Sequence, residues 1–180
     1  RTEKEGDYYN FEVDILGTSK KFSFKFNYNE TSKIFMISLI GETGTTLYTK
    51  TMYDLKNMPL FYVVNDKIAI IDNTDDSYKY QYNLLLYDSK KQIYNLSHNL
   101  PIKVNNVSLD FNNQVYIEKT NAVNTFKILF GYEKEFCNDS KTEGISFYEF
   151  EVNYDYKKNN FILNDISYII NKLFYFWNKN

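Results

Sequence analysis

The chain has 180 residues, a net charge of −2 and an aromatic content of 19%, mostly from 18 Tyr and 15 Phe. Because acidic and basic residues are interspersed, the sequence shows no cluster of basic residues that would form a binding surface for nucleic acid or for an anionic membrane. No apolar run reaches the roughly 18 residues of a membrane span. The single cysteine, Cys137, excludes a disulfide bond within the chain.

The high aromatic content favours β-structure, because aromatic and β-branched side chains pack well on the pleated surface of a sheet. With only 6 Gly and 2 Pro, the turns must be formed mainly by Asn, Asp, Ser and Lys. The sequence therefore predicts a mostly β protein.

Apolar residues in the first half of the chain either alternate with polar ones or form short unbroken runs, and both patterns predict strands. These predicted strands lie at 9–15, 22–28, 34–40, 47–52, 60–64 and 68–71. The most regular alternation follows, and it predicts another strand carrying Tyr78, Tyr80, Tyr82, Leu84 and Leu86 on one face.

The second half shows the same pattern up to about residue 163, and predicts strands at 93–96, 104–111, 115–118, 125–132, 146–156 and 160–163. The apolar period then changes. A helical stripe predicts an amphipathic α-helix at about 165–178, with Asn164 or Asp165 as the N-cap. Its apolar residues are Ile166, Ile169, Ile170, Leu173, Phe174 and Trp177.

About ten to twelve short strands and one C-terminal amphipathic α-helix predict an antiparallel sandwich or a strongly bent sheet, with the helix covering a face or an open edge. No change of composition marks a linker, so we expect residues 1–180 to form a single domain. The aromatic hairpins recur loosely, which leaves open a duplicated β unit with a break near 88–101.

A hairpin tip carries oxygen ligands that Ca²⁺ would accept, from Asp72, Asn73, Asp75 and Asp76. The spacing lacks the Gly and distal Glu of an EF-hand, so a solvated turn is the alternative interpretation. The stripe of Tyr78, Tyr80 and Tyr82 is a second candidate, as a platform for stacking sugars or bases. Its continuation into Leu84 and Leu86 favours core packing instead.

No catalytic residues are predicted. His98 is the only histidine, so a zinc site of clustered His and Cys ligands lacks partners, and the Gly-x-Ser-x-Gly turn of one large hydrolase class is absent. Cys137 lies beside Glu135 and Asp139, whose charges disfavour a reactive thiolate. We expect no cofactor and, on balance, no enzyme.

The segments 124–130 and 149–163, in a chain dense in Lys, Asn, Tyr, Phe and Ile, resemble closing hairpins of bacterial extracytoplasmic β domains. Together with a start at Arg1 instead of Met, the chain resembles the ectodomain of a Borrelia-type outer-surface lipoprotein. The resemblance implies a lipid-tethered protein of the bacterial cell surface, whose N-terminal anchor has been removed. It implies contact with host or vector molecules and no catalytic residues.

The leading hypothesis is a surface-displayed binding module with a protein or glycan of a host or vector as its partner, and a monomer. One alternative is a small-ligand pocket, with carboxylates as acid and base if it is hydrolytic. Another is a structural component of an assembly, because segment 29–39 with Leu47, Asp54 and Leu55 is similar to small phage baseplate proteins.

Overall fold

The computed structural model describes residues 2–5, 8–15, 21–73, 81–100, 103–104, 107–134 and 146–171. The described residues form three antiparallel sheets in which strands consecutive in sequence are neighbours. The prediction of a mostly β protein is therefore confirmed.

The first sheet has five strands, and its second to fifth strands confirm those predicted at 9–15, 22–28, 34–40 and 47–52. Its strands are β1 (Thr2–Glu5), β2 (Tyr8–Ile15), β3 (Phe22–Asn29), β4 (Ile34–Ile40) and β5 (Thr46–Met52). A short 3-10 helix, Leu55–Asn57, follows β5 and leads into the second sheet.

The second sheet has four strands, β6 (Leu60–Val64), β7 (Lys67–Asp72), β8 (Gln81–Tyr87) and β9 (Gln92–Asn99). The third has five, β10 (Lys103–Val104), β11 (Val107–Lys119), β12 (Thr125–Lys134), β13 (Ser146–Asp155) and β14 (Asn160–Asn171).

The predicted C-terminal helix is wrong for residues 165–171, which belong to β14, while 172–178 lie outside the described residues. Ile166 pairs with Glu149, and Ile169 pairs with the neighbouring residue of β13, Tyr148, so the register shifts between them. Ile166 and Ile169 are three residues apart, a spacing that is typical of one face of a helix. The register shift accommodates the same spacing in a strand. β-Branched isoleucines are at least as well suited to a strand.

The chain divides into two compact units. Unit 1 comprises 1–72 and 83–96, and unit 2 comprises 73–82 and 97–180. The last boundary between the two units lies between Leu96 and Ser97. It falls within 88–101, the segment where the sequence left open a break between two copies of a duplicated β unit.

The core of unit 1 lies between the first two sheets. Phe22 and Leu39 of the first sheet pack with Ile68, Ile70, Leu85 and Tyr87 of the second. Each strand contributes alternate residues to this contact, as the period-two pattern requires. Phe24 continues the contact, with its ring centroid 4.3 Å from that of Phe61 and the rings edge to face.

The core of unit 2 is built on β12 and β13, and its buried rings meet edge to face, as with Phe130 and Phe150 at 5.7 Å. The buried side chains on this face of the two strands are Phe126, Ile128, Phe130 and Tyr132 with Tyr148, Phe150, Val152 and Tyr154.

Three hairpins share a turn that begins with a tyrosine followed by Asn or Asp. The Asp88 carboxylate accepts hydrogen bonds from the backbone N–H groups of Lys90 and Lys91, at 2.7 and 2.8 Å. The Asp155 carboxylate accepts the equivalent bonds from Lys157 and Lys158, at 2.9 and 3.3 Å.

The third copy of the turn begins with Tyr28 and Asn29, and the Asn29 side-chain oxygen accepts hydrogen bonds from the backbone N–H groups of Thr31 and Ser32 at 3.0 and 3.1 Å. It matches the Asp155 turn further, because the last loop residue has positive φ in both, 56° at Lys33 and 55° at Asn159. The loosely recurring hairpins of the sequence thus contain one repeated structural element.

Substitution of Asp155 by Ala should lower the free energy of unfolding by about 1 kcal/mol, because two backbone N–H groups lose their acceptor. Asp155→Asn keeps an oxygen in place and should retain most of this stability. Urea denaturation of both variants measures the difference. Equal stability of the two variants would show that the acceptor does not hold the turn.

Candidate functional site

The residues predicted to bind calcium are not assembled as a metal site in the described part of the chain. Asp72 accepts a hydrogen bond from the Tyr48 hydroxyl at 2.6 Å and forms an ion pair with Lys50. Asn73 is half-buried, while Asp75 and Asp76 lie outside the described residues. Among the residues that are described, no three His, Cys, Asp or Glu side chains group closely enough to hold a metal ion.

Of the tyrosine stripe, Tyr78 and Tyr80 lie outside the described residues, and Tyr82 is fully buried in unit 2. The Tyr82 ring lies 4.9 Å from that of Phe130 and 5.5 Å from that of His98, measured between centroids. His98 in turn meets Phe150 edge to face at 5.2 Å. Tyr82 and His98 are thus part of an aromatic core.

The polar group around Asp72 joins β5, β7 and β8 inside unit 1. Burial and the Asp72 charge raise the pKa of Tyr48 well above its ordinary value, and the same two causes raise the pKa of Tyr87 to about 12. Tyr87 also donates a hydrogen bond to Gln92 Oε1 at 3.0 Å. The Asp72 carboxylate is compensated by the Lys50 ammonium and the Tyr48 hydroxyl, so this group contributes to the stability of unit 1.

The raised tyrosine pKa values predict a loss of stability at alkaline pH. Unfolded tyrosine ionises near its ordinary pKa of 10.0, whereas folded Tyr87 holds its proton to about 12. The stabilisation is therefore complete below pH 10.0 and is lost as the pH rises through the folded pKa. Urea denaturation across this window should show a shallower decline for Tyr48→Phe and Tyr87→Phe than for wild type.

Exposed Tyr53 provides the matched control, because Tyr53→Phe removes a hydroxyl from the same unit without disturbing the buried group. An alkaline decline that is equally steep in all variants would contradict the assignment to Tyr48 and Tyr87.

A half-exposed row of rings, which we name the aromatic strip, crosses β2, β3 and β4 in unit 1. Phe11 and Phe35 each lie 5.8 Å from Phe26, and Tyr28 stacks on Phe35 at 4.5 Å. The strand register explains the row, because Phe11 pairs with Phe26 and Tyr28 pairs with Phe35. Cross-strand neighbours on one face necessarily meet.

The strip lies at one end of a face of the first sheet, and the other end of the same face is buried in the core of unit 1. On β3, Phe22 is buried in the core of unit 1, whereas Phe26 and Tyr28 further along the strand are only half-buried. Phe11 leaves 40% of its surface exposed. Apolar side chains on this sheet thus extend beyond the core that covers Phe22.

An exposed apolar turn follows the same end of the sheet. It spans residues 53–58 and is named here the apolar loop. Tyr53 is 75% exposed, Leu55 50% and Met58 39%. The 3-10 helix orders the loop, since the N–H of Asn57 donates to Asp54 O and that of Met58 to Leu55 O, both at 3.1 Å.

Strand register places the start of the loop next to Phe35 of the strip. Met52, the last residue of β5, pairs with Phe35 of the strip, and Tyr53 follows Met52 directly. Sequence patterns missed this site, because Tyr53, Leu55 and Met58 fit neither a strand nor a helix period. The only signal for this site in the sequence was the presence of large apolar residues in a connection that is otherwise polar.

No protein family, curated protein or solved structure matches the chain. Within the described ranges, the chain has no helix that is long and apolar enough to cross a membrane.

Proposed function

We propose that the protein is a binding module whose contact surface is the aromatic strip together with the apolar loop of unit 1. The observation that carries the proposal is the exposure of Tyr53, Leu55 and Met58 on one ordered turn. A group of large exposed apolar side chains is typical of interaction sites, whereas isolated ones need no explanation.

The chemistry of the surface favours a protein partner over a glycan. Three of the four rings in the strip are phenylalanines, which have no hydroxyl to hydrogen-bond a sugar. The loop adds an aliphatic and a thioether side chain, and aromatic residues and Met are enriched in protein interfaces. The partner should present an apolar patch of its own.

The setting of the module is part of the same proposal. The resemblance of its hairpins to ectodomains of Borrelia-type lipoproteins supports display on a bacterial surface through a lipid anchor outside this chain. The partner would then be a host or vector protein, met by a monomer without catalytic activity. For unit 1 we propose a sandwich arrangement of its two sheets, supported by the shared core of Phe22 and Ile70.

The test replaces the apolar side chains of the loop by Ser at Tyr53, Leu55 and Met58. The matched control replaces two exposed apolar residues in turns of unit 2, Val123 and Tyr156, in the same way. All five side chains are exposed, so both variants should fold, and their melting temperatures are compared with wild type before binding is measured.

Capture from host or vector extract by a photo-crosslinker at Lys56 should yield one saturable partner with wild type and with the control variant. Binding of the purified partner to the loop variant should be at least about tenfold weaker, because buried aromatic contacts dominate interface energies. Equal binding by both variants would overturn the proposal. Loss of binding after deglycosylation of the partner would reassign the surface to a glycan, and concentration-dependent sedimentation would reassign it to self-association.

A further inference from the structure

Glu149 is a fully buried carboxylate on β13 of unit 2, and neither of its oxygens has a hydrogen-bond partner among the residues that the structure describes. The cation beside it is Lys127 of β12, whose Nζ lies 3.6 Å from Glu149 Oε1. Lys127 pairs with Glu151 in the strand register, and Glu149 pairs with Leu129. Lys127 and Glu149 are therefore diagonal neighbours, within reach of long side chains.

The surroundings of Glu149 compensate its charge poorly. Leu129, opposite in the register, and Phe147, two residues earlier on the same face of β13, are both fully buried. At 3.6 Å the ammonium lies beyond ordinary hydrogen-bond range, and the Lys127 side chain is 28% exposed. A buried carboxylate without hydrogen bonds is strongly unfavourable, even with a cation nearby.

We propose that Lys127 and Glu149 are joined by an amide bond formed within the folded protein. The product is neutral, so it removes the buried charge that the ion pair leaves uncompensated. The site itself supplies the conditions for the reaction. Two hydrogen-bonded strands hold the reacting groups together, which lowers the entropic cost of their encounter, and the apolar surroundings disfavour the charged reactants relative to the product.

The reaction needs no oxidant, reductant or further reactant. A proton passes from the Lys127 ammonium to the Glu149 carboxylate, which gives a neutral amine and a carboxylic acid. The amine nitrogen then attacks Glu149 Cδ, a C–N bond forms, a C–O bond breaks, and one water molecule leaves with the second amine proton. Glu118 and Glu151 both pair with Lys127 in the register and are placed to relay protons.

The bond would join β12 to β13 and close the segment 128–148 into a covalent loop. A chain with a single cysteine has no internal disulfide to do this. Cross-links of this kind restrict the unfolded state and so stabilise the folded one. The inference is independent of the proposed binding surface, which lies in unit 1.

The test is the intact mass of the purified, denatured full chain. We expect the mass of wild type to fall below that of the sequence by one water molecule, and proteolysis to release a branched peptide containing Lys127 and Glu149. Lys127→Arg keeps the charge but cannot form the bond, so its mass should equal that of its sequence. Lys119→Arg, on the exposed surface of β11, is the matched control and should keep the loss.

Peptide mapping distinguishes the cross-link from dehydration of an aspartate, because the latter leaves every peptide linear. A wild-type chain that is folded, by circular dichroism, and has the full mass of its sequence after prolonged incubation would overturn the proposal. This readout requires no variant to fold. It also leaves the binding test unaffected, so the two proposals fail separately.

Discussion

The burial of large side chains at every second position of antiparallel strands is the interaction on which both units depend. A strand presents alternate residues to one face, so a slip of a single residue would turn its entire apolar set towards solvent. The turns protect against such a slip. The last residue of β3, Asn29, and that of β13, Asp155, each fix the following turn by accepting two backbone hydrogen bonds. The tyrosine directly before each of them is the last residue on the apolar face of its strand.

The same pattern leads to different surfaces in the two units. On β13, the alternate residues Tyr148, Phe150, Val152 and Tyr154 are all buried. On β3, Phe22 is buried, whereas Phe24, Phe26 and Tyr28 are only half-buried. The rings of the aromatic strip contact one another across three strands, which limits their freedom to rearrange. A preformed apolar surface lowers the entropic cost of binding a partner, and this is the physical reason for proposing a contact surface in unit 1.

The sequence predicted those features that depend on local periodicity. Strands such as β3, β4, β6 and β7 follow from alternating apolar residues or from short unbroken apolar runs, both of which are visible within a short window. The C-terminal prediction failed because Ile166, Ile169 and Ile170 fit both a helix and a strand with an irregular register. Pairing with β13 decides between them, and that contact is not local. The close approach of the β4–β5 turn to Ser89 is also a contact that local sequence does not reveal. A side chain at Gly41 would place its Cβ 2.3 Å from Ser89 O.

The chemistry of the candidate residues was hidden for the same reason, as two carboxylates illustrate. Asp72 was a candidate for calcium, yet it receives one donor from each of two side chains on β5, which lie more than twenty residues earlier in the chain. Glu149 had no distinguishing pattern, yet it is buried without a hydrogen bond from any described residue. Burial of a carboxylate is sustainable when donors replace its hydration, as they do for the largely buried Asp72. Where donors are lacking, as at Glu149, a neutral product relieves the cost of burying the charge, and the Lys127 amine beside it is the reactant that we propose.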